Sequence, residues 1–269
     1  NFTGVDADLT SLAAKVGRAR PDGSVPGDNP FVDGAGPNND YIWARGFRNP
    51  FTMTRRPETE DLWINVAGTS FEQVFAVGRG EHAGWNDYEN TQPAGFIAPV
   101  IAYRTNGTSS FTISSVTRSA GVATFTVTTT HRLRLGAKLT IAGVSDSSFN
   151  GIWYVSGVPS ATTFTMAQAL PDAAASGGTA TTDNLGGAIT GGTFLESSAV
   201  PSAYRGDFFF TDFNSGRVVR ADISGGQIAS VDTFATGTTS TTPVDADVGP
   251  DGDLYVVRFG SGLVTRYSY

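Results

Sequence analysis

Cysteine is absent from all 269 residues. That excludes disulfides, thiolate metal sites and cysteine nucleophiles. Histidine is nearly as scarce, with His82 and His131 alone, and these two stand at no metal-ligating spacing. Only 16% of residues are charged, the formal net charge is −7, and no basic cluster exceeds a few residues, so a nucleic-acid partner is not expected. No apolar run reaches the roughly 18 residues of a membrane-spanning helix, and no signal peptide is visible. A nucleophile elbow and a phosphate loop are missing as well. Helical periodicity is confined to residues 8–19, where Leu9, Leu12, Ala13 and Val16 fall at helical spacing. The same stretch reads equally well as a turn leading into a strand at 15–20.

What the chain has instead is glycine (33), proline (13), abundant Thr and Ser, and many short Val/Ile/Phe runs. That mix favours strands joined by tight turns. Strands are expected at 41–47, 61–68, 71–77, 95–103, 187–195, 206–213, 216–223, 244–259 and 262–269. Three stretches share a pattern: "ETEDLWINV", "YRGDFFFTD" and "GPDGDLYVV" each set Asp or Gly in a turn before an aromatic-rich strand. A turn, a buried strand and an outer strand recurring at about 40–50 residues is the signature of propeller blades, which bury both faces only by stacking. Residues 109–181 break the period with a Thr/Ser/Val-rich alternation of their own. The expected fold is therefore all-β: propeller blades in 1–108 and 182–269, with a small β-sandwich or barrel domain inserted at 109–181 and protruding from them. The opening "NFTGVDADLTSLAAKVGRAR" reads as the middle of a folded domain, so the natural N-terminus is expected upstream. Zero cysteine among so many Thr, Ser, Asn and Gly suits a secreted bacterial protein.

The stretch "WARGFRNPFTM" sets Arg48 and Asn49 between aromatics. A guanidinium offers forked, charge-assisted donors, so this pair either grips an anionic ligand or ties a loop to neighbouring carbonyls. Asp245, Asp247, Asp251 and Asp253 resemble a calcium ladder, yet they lack the Gly and Glu offsets of an EF-hand, and "GPDGDLY" is more simply a turn. Asp61, Glu72, Glu81 and Asp87 are candidates for an acid–base pair whose separation nothing in the sequence fixes. Trp43, Trp63, Trp85 and Trp153 either stack on sugar rings or fill the blade core.

In order along the chain, "GRARPDGSVPGDNPF", "IWARGFRNPFTM", "DLWINVAGTSFEQVFAV", "HAGWNDYE", "VPSAYRGDFFFTDFNSGRVVRADI" and "VGPDGDLYVV" together resemble the glucose/sorbosone dehydrogenase family. Its members are six-bladed propellers that use pyrroloquinoline quinone and calcium to oxidise sugars. The resemblance covers 8–104 and 186–269, the latter half of such a propeller: about three blades plus one strand of another. Segment 109–181 resembles small β-modules of bacterial surface and phage-tail-like proteins. The resemblance implies that Arg48 and Asn49 touch the quinone, and that Asn65, Ala67, Gly68 and Glu72 stand at the calcium loop.

Departures from the family pattern are as informative. The family's catalytic base is a histidine of an earlier blade, and neither His82 nor His131 matches it. Positions where sugar-oxidising members carry Lys or Arg correspond to Asn214, Thr242 and Val244. Burying a tricarboxylate without cations is costly. The expectation is a secreted or surface-attached (extracellular or periplasmic) propeller, degenerate in its quinone site, acting as a structural or binding module for a glycan or protein. The alternative is the C-terminal part of an active quinone-dependent sugar dehydrogenase. Half a propeller leaves open edges, so a second chain, a cleaved fragment or another copy is expected to complete it.

Overall fold

A computed structural model describes residues 4–5, 7–237, 242–260 and 262–268. Two four-stranded antiparallel sheets and a three-stranded one carry the propeller part. The first sheet is β3 (Pro50–Arg55), β4 (Leu62–Val66), β5 (Phe71–Val77) and β6 (Ile101–Arg104), preceded by a separate pair, β1 (Lys15–Gly17) and β2 (Ile42–Arg45). Residues 8–14 are turn and loop, so the strand reading of this stretch holds, and the lead-in to the first blade is two strands rather than one.

The chain then leaves the propeller for seven strands: β7 (Ser110–Ser119), β8 (Val122–Val127), β9 (Lys138–Ala142), β10 (Gly151–Ser160), β11 (Thr163–Ala167), β12 (Ala173–Ala175) and β13 (Thr179–Thr182). Six of them close into a barrel in the order β7-β8-β11-β10-β9-β13, and β12 extends the edge of β7 next to β13. The alternation seen in the sequence fills it: Phe125, Leu139, Phe149, Val155, Phe164 and Met166 are fully buried.

The chain returns to build a second blade from β14 (Ile189–Phe194), β15 (Phe208–Asp212), β16 (Arg217–Ser224) and β17 (Gln227–Ala235). A third sheet follows from β18 (Thr242–Val248), β19 (Leu254–Phe259) and β20 (Leu263–Tyr267). The first strands β3, β14 and β18 pack side by side, so the sheets fan out from them as blades do. The recurring Asp/Gly-turn pattern marks the second strand of each sheet, β4, β15 and β19. Phe208 and Phe210 pack toward the first blade, Phe209 toward the third, and all three are fully buried. An uninterrupted apolar run is what a strand buried on both faces requires. Trp63 enters this seam edge-on to Phe194 at 5.0 Å and tilted on Phe208 at 5.0 Å.

Two departures from the expected strands stand out. Residues 95–100 are turn and loop, and β6 begins only at Ile101. Strand β17 was not foreseen. It is paired to β16 by a two-residue turn in which Gly225 and Gly226 both take positive φ, 58° and 77°.

The barrel does not protrude freely. Its loop 131–137 reaches into the propeller: Val231 N–H donates to the Gly136 carbonyl at 2.9 Å, and the Asn90 amide donates to the Arg132 carbonyl at 3.0 Å. Lys138 pairs with Asp232 of β17 at 3.0 Å. No helix among the described residues is long and apolar enough to cross a membrane.

Candidate functional site

The loops at the starting ends of β3 and β14 hold the residues that the sequence marks. Arg48 and Asn49 are exposed in the turn before β3. The Arg48 guanidinium donates to the Ala67 carbonyl at 2.9 Å and lies over the Trp85 ring at 5.7 Å. The Ala67 N–H returns a bond to the Asn49 carbonyl at 3.0 Å. The next residues close on Glu89, whose Oε1 accepts from the N–H groups of Thr69, Ser70 and Phe71 at 2.5, 2.9 and 3.2 Å. A Cβ on Gly68 would fall 1.7 Å from the Phe71 carbonyl oxygen, so the tight turn requires glycine there.

Asn65 and Glu72 reach toward the second blade, and the Glu72 carboxylate also takes the Gly68 N–H of this turn. Both are buried on the face of the first blade that meets the second, and both reach the start of β14. The Asn65 amide donates to the Thr190 carbonyl at 2.5 Å, and Thr52 Oγ1 donates to the same oxygen at 2.9 Å. The Glu72 carboxylate accepts from the Ile189 N–H at 3.0 Å. Asp212 completes the seam, accepting from Tyr103 Oη at 2.9 Å and from the N–H groups of Gly187 and Ala188 at 2.8 Å each. Burial, with the Asp212 charge adding to it, raises the Glu72 carboxyl above its ordinary range; burial and the same carboxylates raise the Tyr103 phenol. Sequence reasoning missed Tyr103, Thr190 and Asp212. The only signal was "FFFTD", an acid ending a wholly apolar strand.

Of the four proposed calcium donors, Ala67 ties to Arg48 and Asn49, Asn65 and Glu72 reach β14, and Gly68 joins the two groups through its N–H on the Glu72 carboxylate. A calcium ion wants six to eight converging oxygens, and among the described residues no three His, Cys, Asp or Glu gather in a way that could hold a metal. Nor do the residues fit a quinone tricarboxylate. Asn214, Thr242 and Val244 carry no charge, and Arg48 is engaged with a backbone carbonyl. One atom stands out on the other side: Asn65 Oδ1 is buried without a partner.

The remaining candidates separate. His82 Nδ1 accepts from the Gly84 N–H at 2.9 Å. His131 sits in the barrel loop, where burial lowers its pKa and Nδ1 accepts from the Leu133 N–H at 3.0 Å. Asp251 and Asp253 pair with Arg266, and the Asp253 N–H donates to Asp251 Oδ1 inside a turn closed by Gly252. Glu81 accepts from the Gly78 N–H and Asp87 is exposed, so neither shares a place with Glu72. Of the tryptophans, Trp63 is core, Trp43 and Trp85 lie under Arg18 and Arg48, and Trp153 donates to the Phe149 carbonyl within the barrel.

The family model for glucose/sorbosone dehydrogenase matches residues 4–152, more than half of the chain. The chain belongs to the glucose/sorbosone dehydrogenase family. The match runs past the first blade into the barrel. An aldose sugar dehydrogenase of Escherichia coli K12 is 34% identical over 79 residues, 29% of this chain and 21% of the enzyme. A solved glucose dehydrogenase superposes with a TM-score of 0.61 at 16% identity, covering 98% of this chain and 56% of that one. A quinone-bound aldose sugar dehydrogenase from Streptomyces coelicolor gives 0.51 at 16% identity, covering 95% and 49%. These likenesses show the family's all-β propeller fold. The chain spans about half the length of the solved enzymes it matches.

Proposed function

We propose that this chain is a propeller segment of the sugar-dehydrogenase type that works as a structural and binding module, secreted or surface-attached, with a quinone site that no longer assembles. The bond from Arg48 to the Ala67 carbonyl carries this reading. The residue placed to meet the cofactor instead ties one axial loop to the next, and no cation stands at the other expected positions. The open ends support the need for a completing partner. Phe259, Leu263 and Val264 at one end and Phe51 and Met53 at the other are about half exposed or more, an apolar display that a free blade edge does not keep without cost. A second chain, a cleaved fragment or another copy would cover them, and a glycan or protein ligand would bind the assembled surface.

A second reading keeps the segment as part of an active sugar dehydrogenase whose base and remaining cations come from the other half. The orphaned Asn65 Oδ1, an oxygen a cation would satisfy, favours it. One experiment separates the two: equilibrium dialysis of the chain, with its natural partner where one co-purifies, against pyrroloquinoline quinone with and without calcium, followed by reduction of an artificial acceptor on adding glucose. The module reading expects no saturable, calcium-dependent uptake. Saturable uptake with sugar-dependent reduction establishes the enzyme reading instead.

A further inference from the structure

On the far side of the same seam from the Arg48 loop, beneath the barrel, the two blades part around a cleft of about 340 Å³. Arg56, Asp61 and Trp63 line it from the first blade, and Arg134 lines it from the barrel loop. Between them the walls are apolar: Ala76, Val100, Leu133, Leu135, Ile223 and Ile228. That volume is at the low end of small-molecule sites, roughly 300–1,000 Å³, and far exceeds the space of one ordered water.

Two donors on this lining lack acceptors. Arg56 Nε and Trp63 Nε1 are buried without hydrogen-bond partners, in side chains 7% and 3% exposed. Arg56 Nη2 is already paired with Glu58 at 2.9 Å, so Nε is the donor left over. The guanidinium carbon lies 6.0 Å from the Trp63 ring centre, so both donors belong to the same corner of the cleft. Arg134 adds charge. It donates to the neutral Asn90 Oδ1 at 2.8 and 2.6 Å, and no carboxylate pairs with it among the described residues. Burial lowers its pKa to about 10, which leaves it cationic at neutral pH. Asp61 lines the cleft and Glu58 and Glu196 stand by Arg56, so Arg134 is the guanidinium of the lining without a carboxylate partner among the described residues. Buried donors are normally matched, so an unmatched pair beside an apolar cleft that Arg134 overlooks points to a ligand with the complementary chemistry.

We propose that this cleft, between the blades and the inserted barrel, binds a small carboxylate with an apolar body. The carboxylate takes the Arg56 and Trp63 donors in the field of Arg134, and the hydrocarbon lies along Val100, Leu133, Leu135 and Ile228. The insertion then has a role that no propeller blade supplies, since it roofs the site.

The test is calorimetric titration of the full chain with sodium octanoate, with octanol and octylamine as chain-matched controls, on the parent and two variants. Arg134→Gln removes the charge. Val158→Trp adds bulk at the cleft rim, where Val158 is 39% exposed and a larger side chain does not disturb the core. The expected result is saturable octanoate binding at one per chain, weakened on the order of tenfold by Arg134→Gln and more by Val158→Trp, with both controls far weaker. Melting curves identify any variant that fails to fold, and the other variant then decides. The proposal is overturned if octanoate gives no saturable heat, if octanol binds as tightly as octanoate, or if the folded variants bind as the parent does.

Discussion

The Glu72 carboxylate accepts the Ile189 N–H at 3.0 Å across the seam between two blades, with the Asp212 carboxylate close enough to oppose its charge. A strand of one blade thereby holds the first residue of its neighbour's inner strand. The cost is a charged group in a buried place, and the shift follows: burial first, then Asp212, raise the Glu72 pKa. A carboxyl whose folded pKa exceeds its unfolded value contributes stability that is fully present below the ordinary glutamate range and lost as pH rises through the raised value. Glu72→Gln keeps an acceptor for Ile189 and removes the charge. The variant is expected to match or fall slightly below the parent near pH 4 and to exceed it by roughly 1 kcal/mol at pH 7, the scale of one hydrogen bond or one screened repulsion. Urea melts at several pH values read this directly. Parallel pH profiles for the two proteins would sink the account.

Asp212 has a different role although it lies in the same seam. Its oxygens accept from Tyr103 Oη, from Gly187 and Ala188 N–H, and from Ser215 N–H and Oγ at 2.9 Å each. Asp212→Ala strands several buried donors at once and is expected to cost about 3–5 kcal/mol. Tyr103→Phe removes one of these bonds and leaves the others, for about 1–2 kcal/mol. Chemical denaturation of both checks the ratio, and equal losses would show that the tyrosine, not the backbone donors, carries the seam.

How much of this was legible beforehand depends on range. The propeller was readable because its second strands repeat a local signal, Asp or Gly in a turn and then Trp63, Phe208–Phe210 or Tyr255. The strands of 109–181 were readable as β because they carry an alternation of their own. Strand β17 was missed because Ile228, Val231 and Phe234 do not alternate cleanly along a strand that bulges against β16. The seam escaped for a different reason. Glu72 and Ile189 are 117 residues apart, and nothing local in either says that they meet, so Asn65 and Glu72 were read only through the calcium loop that the family resemblance implies. Arg56 and Trp63 likewise carry no sequence mark of a shared cleft.

Arg48 is exposed, so the loop tie it makes is worth little energy and much position. Arg48→Ala is expected to lower stability by about 0.5–1 kcal/mol, from one charge-assisted bond and a weak cation–π contact. Hydrogen exchange should quicken at Ala67 to Ser70 and stay unchanged in the barrel. A variant with parental stability and unaltered exchange would mean that the guanidinium is not held by Ala67 in solution and is available to a ligand.

Gly136 fixes the barrel to the second blade. It has φ of 74°, and a Cβ there would meet Ile228 Cγ2 at 2.5 Å and Ser230 N at 3.2 Å. Gly136→Ala combines a left-handed backbone penalty of about 1 kcal/mol with an overlap that the β17 backbone cannot fully relieve. The expected loss is about 2 kcal/mol or more, with limited proteolysis entering near 105–108 and 183–187 while the barrel survives as a resistant fragment. If Gly136→Ala is as resistant as the parent at those junctions, the loop does not hold the barrel in place.

The open edge of the third sheet yields the last test. In β19 the buried positions Leu254, Val256 and Arg258 alternate with outward ones, and Val257 and Phe259 are 44% and 65% exposed beside Leu263 and Val264 at 53% and 61%. Apolar residues on both faces of a strand suit a sheet packed on both faces, and here only one face is covered. Such a patch on an edge sheet promotes association. Sedimentation velocity at tens of micromolar is expected to show dimers or larger species, or a retained partner fragment, for the parent chain. Phe259→Ser with Val264→Lys should shift the chain toward monomer with little change in its own melting, because both side chains already face solvent. A parent chain that sediments as a single compact monomer would remove the need for a completing partner, and with it the reading of this chain as one part of a larger propeller.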